Sequence, residues 1–417
     1  MALALYSTLF RLLLPLFALR LLIRSRRAPA YRQRMAERLG FSQPVTGKPL
    51  WIHAVSVGEV IAISPLVEKL LLAKPNTPLL ITTMTPTGAA QVRQRFGDRV
   101  SHRYAPWDSP GAVKRFLNKH RPRAGLIVET ELWPNLLNTA RKHNVPLLLA
   151  NARLSAKSLR GYQHFSSLTE IALGALTHLC AQHQTDAERF IELGLPNEKI
   201  SVDGSIKFDL SIPDEMIELG DSWRTALGSD RPVLIAASTH KGEDEIALKA
   251  WQSLKQAYPA VALILVPRHP ERFDSVTQLA QGYSDACERR SCGQLPNQQT
   301  EIWIGDSLGE MLAYFAAADI AFVGGSFSGT GGHNPLEPAA LGLPILMGPS
   351  RYNFQSISNE LEYEGALFAV EDSAHLATLT GELINDSKGV GEAGLRVVER
   401  NRGALERLYK RVERHLL

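Results

Sequence analysis

The stretch IAFVGGSFSGTGGHNPLEPAALGLPILMGP, residues 320–349, decides the fold. An apolar run, IAFV, empties into a loop holding Gly324, Gly325, Gly329, Gly331 and Gly332. The loop gives way to a helix signalled by Asn334 as N-cap and Pro335 at the first helical position. A second apolar run, LPILM, follows directly. Strand, glycine loop, capped helix and strand make up the repeating unit of a doubly wound parallel sheet, whose strands read as unbroken apolar runs because both faces are covered. Free N–H groups in such a loop, aided by the helix dipole, favour an anion of phosphate type. Glu337, three residues after Asn334, suits ribose hydroxyls or completes a capping box.

The same alternation extends outward in both directions. VLIAAST (233–239), VALILVPR (261–268) and EIWIGD (301–306) precede the glycine loop as one series of runs. LWIHAV (50–55), PLLITTM (78–84), GLIVETE (125–131), VPLLLANAR (145–153) and HLCAQ (178–182) form an earlier series. A polar stretch near 208–220 separates the two. The expected architecture is α/β, with two doubly wound Rossmann-like domains at residues 31–210 and 211–395. An anchor segment at 1–30 precedes them. A charged helix at 396–417 follows, packing on the surface or crossing back to the first domain.

With 417 residues, 45% apolar and 21% charged, the composition excludes disorder, collagen-like repeats and a polytopic membrane protein. The net charge of +4 is unevenly placed: residues 1–40 hold eight Arg and one Glu, a net +7, which leaves −3 on the rest. A nucleic-acid partner is therefore not expected, since it would need cations spread over a folded face. Residues 2–23 are nearly all apolar, interrupted by Arg11, Arg20 and Pro15, so a single span and an interfacial anchor are both allowed. Arg24, Arg26, Arg27, Arg32 and Arg34 follow, and put the next domain on the cytoplasmic face of the membrane. Three cysteines with no C-x-x-C pair fit a reducing compartment. There is no G-x-G-x-x-G after the first strand, no Walker loop, no H-E-x-x-H and no D-x-D, so standard dinucleotide and P-loop sites lose their signal and no metal is expected.

Ligands of open parallel sheets lie beyond the carboxyl ends of the strands, which selects four clusters. In HAVSVGEV, Gly58 lets another molecule approach the backbone, and Glu59 is a carboxylate able to take a proton; Ser56 and Glu59 are also spaced as a capping box. A helix N-terminus favours the anion, which suits a base. In GLIVETELWPN, Glu129, Glu131 and Trp133 close a buried strand, as a sugar-binding wall or as one exposed Glu, one N-cap-like Glu and a core Trp. In VPRHPERF, Arg268, His269 and Arg272 are placed to grip a phosphate or carboxylate, or form a plain surface turn. Lys207 in GSIKFD is a further candidate.

Taken with TTMTPTG (82–88) and ANARLS (150–155), these motifs resemble, in order, the 3-deoxy-D-manno-octulosonic acid (Kdo) transferases of lipopolysaccharide synthesis, which are GT-B glycosyltransferases. The resemblance implies two domains facing a central cleft and an inner-membrane enzyme that inverts configuration as it moves Kdo from CMP-Kdo to the primary hydroxyl of a lipid A precursor. It implies Glu59 as the base. Arg268 and His269 would lie near the donor phosphate or carboxylate, and Gly325, Ser326, Gly332, Asn334 and Glu337 would hold the nucleotide. Ser56, Gly58, Glu129, Trp133 and Lys207 would line the acceptor side. The implied partners are CMP-Kdo, the lipid A precursor and inner-membrane lipid; CMP-Kdo is a substrate, and no cofactor is implied. Two alternatives stand beside this reading: another GT-B nucleotide-sugar transferase or epimerase, and a membrane-tethered nucleotide-sugar-binding module.

Overall fold

Apolar runs become strands and the stretches between them become helices, in a computed structural model that describes residues 1–26, 28–293 and 295–417. Arg27 of the basic segment lies outside the described residues. The chain divides into two compact units, Met1–Asp209 with Arg402–Leu417, and Leu210–Asn401.

The first unit is built on strands Leu50–His53 (β1), Leu79–Thr83 (β2), Ser101–Tyr104 (β3), Ala124–Val128 (β4), Leu147–Ala152 (β5), His178–Ala181 (β6) and Ile200–Val202 (β7). Their order is β3-β2-β1-β4-β5-β6-β7, and the pairings are parallel. Side chains alternate across the sheet: Leu50 and Ile52 enter one apolar core, and Trp51 enters the other. The second unit carries Val233–Thr239 (β8), Ala262–Pro267 (β9), Cys287–Arg289 (β10), Ile302–Ile304 (β11), Ile320–Val323 (β12), Ile345–Met347 (β13) and Leu367–Ala369 (β14). Their order is β10-β11-β9-β8-β12-β13-β14, again parallel, with a core on each face. Both units are Rossmann-like.

Four strands, β3, β7, β10 and β14, have no counterpart among the apolar runs read from the sequence. They are the four sheet edges. An edge strand has one neighbour and stays partly exposed, as the incomplete burial of these four shows, so it needs no continuous apolar run.

The charged C-terminal stretch is two helices. Ser387–Asn401 belongs to the second unit, whereas Ala404–Leu416 packs Leu408, Val412 and Leu416 into the core beneath β1 and β2. Asp209, the last residue of the first unit's leading segment, caps that final helix by accepting the N–H groups of Gly403 and Leu405, both at 2.6 Å.

Helix Ala2–Ser25 is, among the described residues, the one long and apolar enough to cross a membrane. Leu5, Leu9, Leu12, Leu16, Leu19 and Ile23 form an exposed stripe along it. Its other side touches the first unit, where Tyr6 donates to Asp108 (2.9 Å) and Ser7 to Asn135 (2.8 Å).

Candidate active site

Strand order reverses between β1 and β4 in the first unit, and between β8 and β12 in the second. At such a switch point the two following loops leave in opposite directions and open a crevice at the strand carboxyl ends. Glu59 follows β1, Glu129 follows β4, Glu243 follows β8, and the glycine loop follows β12.

Glu59 sits in the first turn of helix Val57–Ala73, capped by Ser56. Ser56 Oγ accepts the Glu59 N–H (3.2 Å) and donates to Glu59 Oε1 (2.7 Å), while the Val55 N–H donates to Oε2 (2.7 Å). The capping box therefore exists, and the same bonds aim the carboxylate. Glu59 is only 6% exposed. Burial pushes its pKa up to about 8, opposed by the Ser56 and Val55 bonds and reinforced by the charges of Glu131 and Glu129. Desolvation thus outweighs the helix N-terminus and the two hydrogen bonds. Gly58 is exposed, and a Cβ there would meet only Ser56 Oγ at 3.8 Å, so the turn is open to an approaching molecule.

Glu129 adopts φ 58°, an unusual conformation for a non-glycine residue that costs of order 1–3 kcal/mol. It places the carboxylate between Arg153 Nε at 3.6 Å and Lys207 Nζ at 3.7 Å. Burial lowers the Lys207 pKa, and the charge of Glu129 opposes that. Glu131 accepts from Trp133 Nε1 (2.6 Å), and Trp133 meets the edge of His53 at 4.8 Å. Trp133 is half-buried, neither core nor free platform. Thus Ser56, Gly58, Glu59, Glu129, Trp133 and Lys207 all belong to the first unit. Sequence reasoning missed Arg153 and His53. It also missed Asn151, whose buried side chain accepts the Ile206 N–H (3.2 Å) and so holds the segment carrying Lys207.

The second unit corrects two expectations. The loop N–H groups of Gly325 and Phe327 are not free. They donate to the fully buried Glu243 at 2.7 and 2.8 Å, and Glu243 also takes the His240 N–H at 2.8 Å. A carboxylate of the protein fills that nest and fixes the loop. Arg272 is likewise not free for a ligand, because it pairs with Asp244 and donates to Thr239 O. Gly324 has to be glycine here: a Cβ would lie 2.6 Å from Ser238 O.

Ser326 is buried and bridges strands, donating to Val323 O and accepting from Gly348 N, both at 2.9 Å. The Gly332 N–H closes the loop on Gly325 O (2.8 Å). The helix after the loop runs Leu336–Ala340, one residue later than expected. Asn334 still caps it, accepting the Leu336 N–H (3.1 Å) and donating to Glu337 Oε1 (3.1 Å). Burial raises the Glu337 pKa, and the Asn334 bond and Arg268 charge oppose it. His333 stacks on His240 at 5.1 Å, and His269 meets His240 edge-on at 5.2 Å. Burial and the charge of Arg268 hold His333 down at about 4, so it is neutral near pH 7. Arg268 is exposed at the end of β9, with no ion pair among the described residues. Among those residues, no group of three or more His, Cys, Asp or Glu is disposed to hold a metal ion. Glu243, His240 and His333 were legible only as neighbours of strand ends. Glu243 occupies the first turn after β8 as Glu59 does after β1, and that parallel was the available signal.

The chain is similar to known proteins. A family model described as 3-Deoxy-D-manno-octulosonic-acid transferase (kdotransferase) matches residues 33–210. A 3-deoxy-D-manno-octulosonic acid transferase from Haemophilus influenzae is 42% identical over 97% of this chain and 96% of its own length. One from Bordetella pertussis is 39% identical over 88% of each. Among solved structures, UDP-GlcNAc 2-epimerase from Neisseria meningitidis bound to UDP-GlcNAc superposes with a TM-score of 0.57 at 13% identity, covering 89% of this chain and 99% of that one. That likeness concerns the fold alone, two Rossmann-like units in one GT-B-like chain. The sequence similarity, which extends over nearly the whole chain, shows that the chain belongs to the 3-deoxy-D-manno-octulosonic acid transferase family.

Proposed function

We propose that this protein transfers Kdo from CMP-Kdo to the primary hydroxyl of a lipid A precursor, at the cytoplasmic face of the inner membrane. The observation that carries the mechanism is the buried Glu59 carboxylate, aimed by Ser56 and Val55 at the switch point of the first sheet. Glu59 takes the proton of the acceptor hydroxyl as its oxygen bonds to the anomeric carbon. The bond from that carbon to the CMP phosphate breaks, and the electron pair leaves with the phosphate. Attack opposite the leaving group inverts the centre. A base with a pKa near 8 holds the abstracted proton firmly while keeping an ionised fraction at cellular pH.

Glu129, tied to Lys207 and Arg153, and Trp133 wall the acceptor side in this reading. On the donor side Arg268 stabilises the departing phosphate and Glu337 holds the ribose, with the loop from Gly325 to Gly332 braced by Glu243. Ser326 and Asn334 act by holding that loop and helix. The exposed leucine stripe and the basic segment behind it support attachment to an anionic membrane, where an acylated acceptor resides.

The test incubates full-length protein with CMP-Kdo and acceptor and weighs the product by mass spectrometry, which also counts the Kdo residues added. CMP, and not UDP, is expected to raise the melting temperature. Protection by UDP alone, or unchanged acceptor mass, would refute the assignment.

A further inference from the structure

A cavity of about 400 Å³ lies beneath the N-terminal helix, within the first unit. Phe10, Phe17 and Leu21 of that helix form one wall, and Met84, Trp107 and Trp133 face them from the body. Arg20 and Arg24 line it as exposed cations. Arg38 lines it too, with no exposed surface at all.

The environment of Arg38 is unusual. Its Nε and Nη2 have no hydrogen-bond partner. Its Nη1 lies 3.8 Å from Met84 Sδ, its guanidinium lies over the face of Tyr104 at 4.3 Å from the ring centroid, and the charge of Glu37 acts on it without a hydrogen bond. A guanidinium withdrawn from water needs an anion, and an orphaned charged donor costs several kcal/mol, so the site is built for something that arrives. Asp108, the acid lining the same cavity, is already engaged: Tyr6 and the N–H groups of Asn135 and Leu136 donate to it. Three arginines against one carboxylate leave the cavity positive, while its walls are aromatic and aliphatic. That combination fits a molecule with an anionic head and an apolar tail. Trp133 lines this cavity and bonds Glu131, whose charge acts on the candidate base Glu59.

We propose that this cavity binds an anionic amphiphile, with a phosphate group on Arg38 and an acyl chain between the N-terminal helix and Met84 and Trp107. Two sources supply that chemistry, the phosphorylated acceptor and a bilayer phospholipid. Assigning the first rests on the function proposed above.

Full-length protein in neutral detergent is titrated with dodecyl phosphate and, separately, with inorganic phosphate, followed by thermal shift. Saturable protection by dodecyl phosphate is expected, with none from inorganic phosphate at equal concentration. Arg38→Gln is expected to weaken the dodecyl phosphate response at least tenfold while leaving CMP protection intact. Should that variant not fold, Leu21→Trp fills the cavity from the helix side and is expected to give the same loss. Undiminished dodecyl phosphate binding in the folded variant, or an equal response to inorganic phosphate, overturns the site.

The source is then read from two arms. A KM raised by Arg38→Gln for bisphosphorylated acceptor, but not for dephosphorylated acceptor, assigns the acceptor. An unchanged KM with weakened binding to vesicles containing phosphatidylglycerol assigns the bilayer lipid; both results support the cavity. Because binding is read without turnover, a protein that binds dodecyl phosphate but transfers no Kdo refutes the proposed function and leaves the site standing.

Discussion

Replacing Glu59 with Gln should abolish transfer and, at alkaline pH, make the protein more stable. The side chain is 6% exposed, and its pKa moves from 4.5 to about 8 on folding, chiefly by desolvation. A carboxyl group with a raised folded pKa weakens the fold as pH rises, because the folded state holds on to a proton that the unfolded state has released. The penalty is absent below about pH 4.5, grows between 4.5 and 8, and is complete above 8. At 1.36 kcal/mol per pKa unit it reaches roughly 3 kcal/mol at pH 7 and about 5 kcal/mol above pH 8.

Gln is neutral and nearly isosteric. Its amide oxygen can accept the Val55 N–H, and its amide nitrogen can donate to Ser56 Oγ, so the cap survives. Urea unfolding of both proteins at pH 5.0, 7.0 and 8.5 provides the assay. The variant's midpoint should match the wild type at the lowest pH and exceed it by something on the order of 1–2 M at the highest. A variant less stable than wild type at pH 8.5 would mean that the ionised carboxylate is a net stabilising cap, and the argument from burial would be wrong.

Three further outcomes follow from the same geometry. The transfer rate should rise with pH to a plateau above about 8, as Glu59 ionises, and Glu131→Gln should move that midpoint down by removing a charge that raises it; a pH–rate profile of both proteins checks this. Glu243→Ala strips the partner from three N–H groups at about 1–3 kcal/mol each, so the second unit should melt earlier and lose CMP protection; Glu243→Gln should be milder. Gly324→Ala drives a methyl to 2.6 Å from Ser238 O and 2.9 Å from Glu243 Oε2, and should weaken CMP binding at least tenfold in calorimetry; an unchanged affinity would show the loop to be more compliant than its packing implies.

Interior strands and their loops were readable because a strand covered on both faces is built on an apolar run, as β4 and β12 are throughout and β1 and β8 are up to their carboxyl ends. The strand-end rule then led to Glu59, Glu129, Arg268 and the glycine loop. The edge strands were not readable, because partial exposure removes the requirement for an unbroken apolar run. Nor were the partners of the glycine loop. Nothing in residues 320–349 says that Gly325 N is taken, since Glu243 that takes it lies 82 positions earlier. Arg272 illustrates the same limit: as a motif residue it looked available, and in the fold it belongs to Asp244.

By itself, then, the sequence determined the two doubly wound sheets, the apolar basic N-terminus and the family, because these depend on periodicity, charge placement and ordered motifs along one dimension. Which groups are free to act was decided only by tertiary structure. Burial depth set Glu59 near pH 8 against its helix dipole, a carboxylate distant in sequence closed the nest, and the packing around Arg38 left its Nε and Nη2 without a hydrogen-bond partner. Those outcomes follow from desolvation and from competition among neighbours, and neither exists until the chain has folded.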